Sequence, residues 1–304
     1  MKFRNHIRLR LFFWTTTLIL IFLLGFLSAY NKVFPYRQLR HLIQGGYASR
    51  LTYRGDPLLA YRDRDTSGRV RSFPDTSRIT GIYLVYGQSN AANSGQIGYA
   101  VHHDVFQYFE GVCYRYQDPA LGGNGGNGSV WGMVGDRLID SGVHQQVIFS
   151  VAAVGAKTLR ELTEGEYHEY FRRCHEGLIR RFGRVDGILF HQGEYNHRKR
   201  VGHDDYYRRF ELWLQRLRNE GITAPVYLSQ TSYCNQGVDY GVDTALLYIQ
   251  DSLIRSVQGI RRGPNSDRLT APAFRLPDRC HFSLQGFSAI ADLWLPLLRS
   301  PSEF

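Results

Sequence analysis

From Ile79 onward, unbroken apolar runs of strand length alternate with longer segments whose apolar residues recur at helical spacing. A strand that is apolar at consecutive positions must be covered on both faces, and alternation with helices supplies that cover through βαβ units. The candidate strands are Ile79–Tyr86, Val112–Tyr116, Gln146–Val151, Val185–His191 and Pro225–Gln230. The candidate helices are Val130–Asp140, Tyr167–Phe182, Asp204–Asn219, Asp243–Val257 and Leu284–Leu298. Within the third of these, Phe210, Trp213, Leu214 and Leu217 make one stripe at i, i+3, i+4 and i+7. The pattern predicts an α/β fold: a three-layer α/β/α sandwich around a mostly parallel sheet. In such sheets chemistry collects at the carboxyl ends of the strands.

The amino terminus follows a different rule. Residues 11–30 carry no charged side chain, and twenty helical residues span about 30 Å, the thickness of a bilayer core. Lys2, Arg4, Arg8 and Arg10 precede the run, while Leu27 and Ala29 make a poor cleavage site for a signal peptide. The expected organisation is therefore a basic cytoplasmic tail over 1–10 and an uncleaved transmembrane signal anchor over 11–30. A stalk and lead-in follow over 31–78, then the α/β domain over 79–304. The basic tail places the amino terminus inside and the α/β domain outside the cytoplasm, in a periplasmic, extracellular or luminal compartment.

A net charge of +10 on 304 residues raises the question of nucleic acid. Lys2, Arg4, Arg8, Arg10 and Lys32 account for half of it, with no acid among residues 1–32. The rest is scattered, so the charge belongs to membrane insertion and no nucleic-acid partner is expected. Short runs such as Arg172-Arg173, Arg180-Arg181 and Arg198-Lys199-Arg200 read as solvated faces, of which one near the site would attract acidic glycans. Cys113, Cys174, Cys234 and Cys280 include no CxxC pair. One or two disulfides or four core thiols are both compatible with their spacing.

The strand ends carry the chemistry. The first strand runs into Gly87-Gln88-Ser89-Asn90, where a tight turn can expose the Ser89 hydroxyl and its own N–H. Alone, such a serine is more often a turn or cap residue. At the other end of the chain, Asp278-Arg279-Cys280-His281 enters the last helix. An Asp three residues before a His can bend back to hold Nδ1–H and leave Nε2 free to take a proton from a serine. The strand Val185–His191 delivers His191-Gln192-Gly193-Glu194 to the same edge, and the Gln192 amide can point at a developing oxyanion. After Gln146–Val151 comes Val154-Gly155-Ala156, where a glycine lets its N–H approach a ligand.

These blocks together resemble the SGNH hydrolases, most closely the branch with sialate O-acetylesterase-like and carbohydrate esterase family 6 domains. GQSN stands at 87–90, HQGE at 191–194 and DRCHFS at 278–283, in the family's order, and Asp118-Pro119-Ala120-Leu121 looks like its DPL segment. The resemblance covers about residues 79–298. It implies Ser89 as nucleophile, His281 as general base and Asp278 as its orienting partner. It implies the Ser89 N–H, the Gly155 N–H and the Gln192 side chain as oxyanion donors, with Gln88, Asn90, His191 and Glu194 in support. Departures fall at Ala91, where Met is usual, at Ala156, where a second Gly is usual, and at Tyr195 and Cys280, where small residues are common.

The expected function is that of a membrane-anchored serine esterase removing O-acetyl groups from carbohydrate, with no cofactor and no metal. An O-acyltransferase of the same fold and a non-catalytic glycan-binding module are the alternatives. The segment Gly123-Asn124-Gly125-Gly126-Asn127-Gly128 contains GxGxxG, but no clean strand precedes it and no Lys-Ser/Thr follows, so it reads as a flexible Gly/Asn loop near the site.

Overall fold

The strand β1 (Thr80–Gly87) shows why its sequence is apolar at consecutive positions from Ile82 to Tyr86. Side chains alternate faces along a strand. Ile82, Leu84 and Tyr86 enter one core with Phe171, Leu178, Phe210 and Trp213. Tyr83 and Val85 enter a second core with Trp131, Val134, Ile290 and Trp294. Each such fully buried aliphatic or aromatic side chain adds roughly 1.5–3 kcal/mol relative to exposure.

In this computed structural model the described residues are 14–17, 21–23, 65–236 and 240–299. The remaining strands are β2 (Val105–Phe109), β3 (Val112–Arg115), β4 (Gln146–Val151), β5 (Gly187–His191), β6 (Val226–Gln230) and β7 (Ile260–Asn265). The helices are α1 (Trp131–Asp140), α2 (Leu159–Thr163), α3 (Gly165–Phe182), α4 (Glu194–Arg198), α5 (His203–Asn219), α6 (Thr244–Ser256) and α7 (Leu284–Arg299). One seven-stranded sheet has the order β3-β2-β4-β1-β5-β6-β7. Every pairing is parallel except β2 with β3. Helices α1 and α7 cover one face, and α3, α5 and α6 cover the other.

The five expected strands and five expected helices are present, with boundaries shifted by a few residues. Two strands escape sequence reading for physical reasons. In the edge strand β7, Arg261, Arg262, Gly263 and Pro264 break the apolar run. The strand β2 is only five residues long and directly follows His102-His103-Asp104. Beyond the expected helices lie α2, closed by a Thr158–Glu161 capping box, and α4.

Two compact units divide the chain, Met1–Ala60 and Tyr61–Phe304. The expected membrane span at 11–30 falls almost wholly outside the described residues; 14–17 and 21–23 are helical. Among the described residues no helix is long and apolar enough to cross a membrane. In the second unit the lead-in joins the sheet edge, where the Ser72 N–H donates to Cys113 O at 2.9 Å and the Arg115 N–H to Val70 O at 2.9 Å.

The sheet order has a functional consequence. Strand β1 has β4 on one side and β5 on the other, so chain direction across the sheet reverses there. A crevice opens at the carboxyl ends beside such a reversal. The residues following β1, β4, β5 and β6 all reach that edge.

Candidate active site

Ser89 lies two residues beyond Gly87, the last residue of β1, on a turn that only glycine can open. Gly87 has φ 140°, and a Cβ there would lie 2.1 Å from His191 O. The Gln88 N–H donates to that same carbonyl at 3.0 Å, and the chain then coils, with the N–H groups of Ala91 and Ala92 donating to Gln88 O. Ser89 is left lining a cavity of about 240 Å3 together with Asn124, Gly155, Arg198, Gln236 and His281. Among the described residues no internal hydrogen bond engages its hydroxyl or its N–H.

His281 shares that cavity and is held from behind. Its Nδ1 lies 2.6 Å from Asp278 Oδ2. Asp278 Oδ1 accepts the N–H groups of Cys280 and His281 at 3.0 and 3.1 Å, and Oδ2 also accepts from Gln236 Nε2 at 3.0 Å. Burial pushes the Asp278 carboxyl up, but its hydrogen bonds and charge attraction to His281 outweigh that and hold it well below the usual carboxylate range. An ionised carboxylate can only accept, so Nδ1 carries the proton and Nε2 keeps a lone pair.

Three clamps fix this loop. Cys280 is joined to Cys234, in the loop after β6, by a disulfide. The buried Arg275 guanidinium donates to Cys280 O and Leu269 O, both at 2.6 Å, and to Ser266 O at 2.9 Å. It also lies 4.2 Å from the Phe282 ring centroid. From the turn after β1, Asn90 Nδ2 donates to Cys280 O at 3.3 Å. Sequence reading did not find Arg275, because nothing in its neighbourhood marks one arginine among 33. The bridge was one of several open pairings, 46 residues apart. Closing a loop of that length stabilises by about 4 kcal/mol on the chain-entropy account. Reduction, or the double change Cys234→Ala with Cys280→Ala, should lower the melting temperature and cut kcat/KM about tenfold or more. Calorimetry with parallel kinetics checks both.

The HQGE block divides into two roles. His191 Nε2 and Asn90 Nδ2 reach Glu194 Oε1 at 3.0 and 2.9 Å, tying the end of β5 to the turn after β1. Glu194 is wholly buried, and burial raises its carboxyl, yet the charge and hydrogen bond of His191 and the bond from Asn90 bring it down to about 2. Gln88 Oε1 accepts the Tyr195 N–H at 3.2 Å. Gln192 departs from its expected role as an oxyanion donor. It is fully buried, and its amide donates to Lys157 O at 3.1 Å and Asn196 Oδ1 at 2.6 Å. Both amide hydrogens are engaged away from the cavity, so Gln192 braces the segment that follows Gly155.

Gly155 itself is placed beside the nucleophile candidate. A Cβ there would come 3.4 Å from Ser89 Cβ and 3.1 Å from Asn124 Oδ1. Its N–H donates to Asn124 Oδ1 across a long 3.3 Å. Asn124 belongs to the Gly/Asn loop expected to be flexible, yet that loop is pinned. The Asn124 N–H donates to Ala153 O and Asn124 O accepts from the Asn93 N–H, each at 3.0 Å. Asn93, fully buried, binds the Ala120 backbone through Oδ1 at 2.8 Å and Nδ2 at 2.9 Å. Neither asparagine stands out in sequence, because Asn in a Gly-rich segment signals a turn first. Among the described residues no group of His, Cys, Asp and Glu could hold a metal ion.

Residues 135–273 match the family model described as carbohydrate esterase, sialic acid-specific acetylesterase. That stretch contains the HQGE block, while GQSN and DRCHFS flank it in sequence and meet it at the same sheet edge. The fold is similar to that of a protein from Arabidopsis thaliana, with TM-score 0.58 and 12% identity over 73% of this chain and 99% of that one. Two other solved structures have TM-scores of 0.47. One is a carbohydrate acetylesterase from Xanthomonas citri, at 15% identity over 72% of this chain and 55% of that one. The other is an acetyl xylan esterase variant from Geobacillus stearothermophilus, at 14% identity over 72% and 94%. No curated protein matches the chain. The order of the motifs and the matched segment are similar to those of the sialate O-acetylesterase-like carbohydrate esterases of the SGNH type.

Proposed function

We propose that the protein is a serine esterase that removes O-acetyl groups from carbohydrate, with Ser89, His281 and Asp278 acting as a triad. The observation that carries this reading is the shared cavity: a Ser89 hydroxyl with no partner among the described residues, and His281 held at Nδ1 by an ionised Asp278. His281 Nε2 takes the Ser89 proton as Oγ attacks the acetyl carbonyl. The tetrahedral oxyanion is met by the Ser89 N–H and by the Gly155 N–H as it gives up its long bond to Asn124 Oδ1, and Asn124, which lines the same cavity, takes the third position expected of Gln192 by turning its amide NH2 to the oxyanion. His281 then returns the proton to the leaving sugar oxygen. Water, activated by the same imidazole, hydrolyses the acetyl-enzyme to acetate and restores Ser89.

The reading extends to location. The apolar run at 11–30 anchors the protein in a membrane, with the catalytic unit outside the cytoplasm. The Cys234–Cys280 bridge supports this, because disulfides persist in oxidising compartments. The test is acetate release from a panel of O-acetylated glycans. Stoichiometric acetate with deacetylated sugar is expected. Transfer of the acetyl group to a sugar acceptor, with no free acetate, would overturn hydrolysis in favour of a transferase.

A further inference from the structure

A carboxylate offers about four lone-pair sites, and at Asp278 four donors occupy them. The N–H groups of Cys280 and His281 take Oδ1, and His281 Nδ1 takes Oδ2. These three belong to the loop that carries Asp278 itself. The fourth, Gln236 Nε2, comes from the loop after β6 and reaches Oδ2 at 3.0 Å. Among the described residues it is the one donor to Asp278 from outside residues 278–281. Gln236 Nε2 also lies 3.4 Å from His281 Nδ1, so the two nitrogens converge on the same oxygen.

An amide has two orientations, and Arg198 selects one. Arg198 stands at the end of α4, half-buried against the cavity that holds Ser89 and His281. Its Nη1 donates to Gln236 Oε1 at 3.0 Å and lies 3.9 Å from Cys234 Sγ. Among the described residues no carboxylate lies within ion-pair distance of it. A guanidinium only donates, and an ionised carboxylate only accepts. Between Arg198 and Asp278 the amide therefore keeps Oε1 towards the one and NH2 towards the other. Turned over, it would lose both bonds. The other charges around Asp278 are His281 and Arg279 on its own loop, the buried Arg275 bound to Cys280 O, and Glu194 beyond Asn90.

We infer that Gln236 is a positioning residue for the triad and that Arg198 orients it. The pair holds Asp278 Oδ2 on the His281 Nδ1–H and shares its negative charge. The carboxylate then fixes the imidazole without over-stabilising the imidazolium. This inference rests on the esterase reading above.

Full-chain variants assayed on p-nitrophenyl acetate test it. Gln236→Leu should lower kcat about ten- to a hundredfold, the worth of one hydrogen bond to a charged group, with KM within about twofold. The acid limb of its kcat/KM profile should move to higher pH. The sign follows from charge: with one donor fewer, Asp278 holds the imidazolium more firmly, and His281 frees its lone pair only at higher pH. Gln236→Glu should move the limb further, because a second carboxylate then stands beside Oδ2. Arg198→Met should lower kcat on its own and add little to Gln236→Leu, while Arg198→Lys keeps most of the wild-type rate. A loop that is merely loosened lowers kcat without moving the limb. An unmoved limb, or independent effects of Arg198→Met and Gln236→Leu, overturns the inference while leaving the esterase intact. Failure of the esterase reading looks different: the wild type itself releases no acetate. Nuclear magnetic resonance of the full chain with isotope-labelled histidine then decides without turnover. The His281 Nδ1–H resonance should lie far downfield in the wild type and move in Gln236→Leu. The same position in both proteins overturns the inference.

Discussion

Ser89→Ala lowers kcat/KM for p-nitrophenyl acetate by about 10,000-fold or more, with circular dichroism and melting temperature unchanged. The size follows from the role: without Oγ there is no acyl-enzyme, and what survives is oxyanion stabilisation of direct attack by water. The unchanged fold follows from the surroundings. The Ser89 hydroxyl lines the cavity and has no internal partner among the described residues, so its loss orphans no buried group. Turnover within tenfold of wild type in this variant would remove Ser89 from the chemistry.

Asp278→Asn should be nearly as damaging, at about 10,000-fold in kcat with a much smaller change in KM. The asparagine carbonyl can still accept the N–H groups of Cys280 and His281, which Asp278 Oδ1 takes at 3.0 and 3.1 Å. The loop therefore keeps its shape. What changes is the atom facing His281 Nδ1. An amide NH2 placed there donates, drawing the imidazole into the tautomer whose proton sits on Nε2, where it cannot accept from Ser89. The same NH2 would also confront Gln236 Nε2, now 3.0 Å from Oδ2. Steady-state kinetics on p-nitrophenyl acetate read the effect. A variant retaining a tenth of wild-type kcat would show that His281 needs no ionised partner.

How much of this is visible in the chain depends on whether the determining physics is local. Strands β1, β4, β5 and β6 declare themselves because burial on both faces makes their interiors almost wholly apolar, with only the small buried Ser150 and Ser229 as exceptions. The edge strand β7 does not, since its arginines are solvated on one side. Ser89, His281 and Asp278 are legible because strand-end turns and a three-residue Asp–His spacing are local patterns. Gln192 is legible as a residue of the site edge but not in its role. Whether its amide faces the cavity or Lys157 O and Asn196 Oδ1 is settled by two segments remote in sequence. Arg275, Gln236 and Asn124 are invisible for the same reason. Each acts across contacts that only the folded sheet edge brings together. The membrane span rests on composition alone, over residues whose structure is mostly not described.

The most direct test of the central claim is covalent capture of the nucleophile. An alkyl fluorophosphonate, incubated with the folded protein and mapped by peptide mass spectrometry, should label Ser89 stoichiometrically and release fluoride. Labelling should fall by orders of magnitude in His281→Ala, which lacks the base. Label on another serine, or an unmodified Ser89 in the wild-type protein, would contradict the assignment of this cavity as the active site.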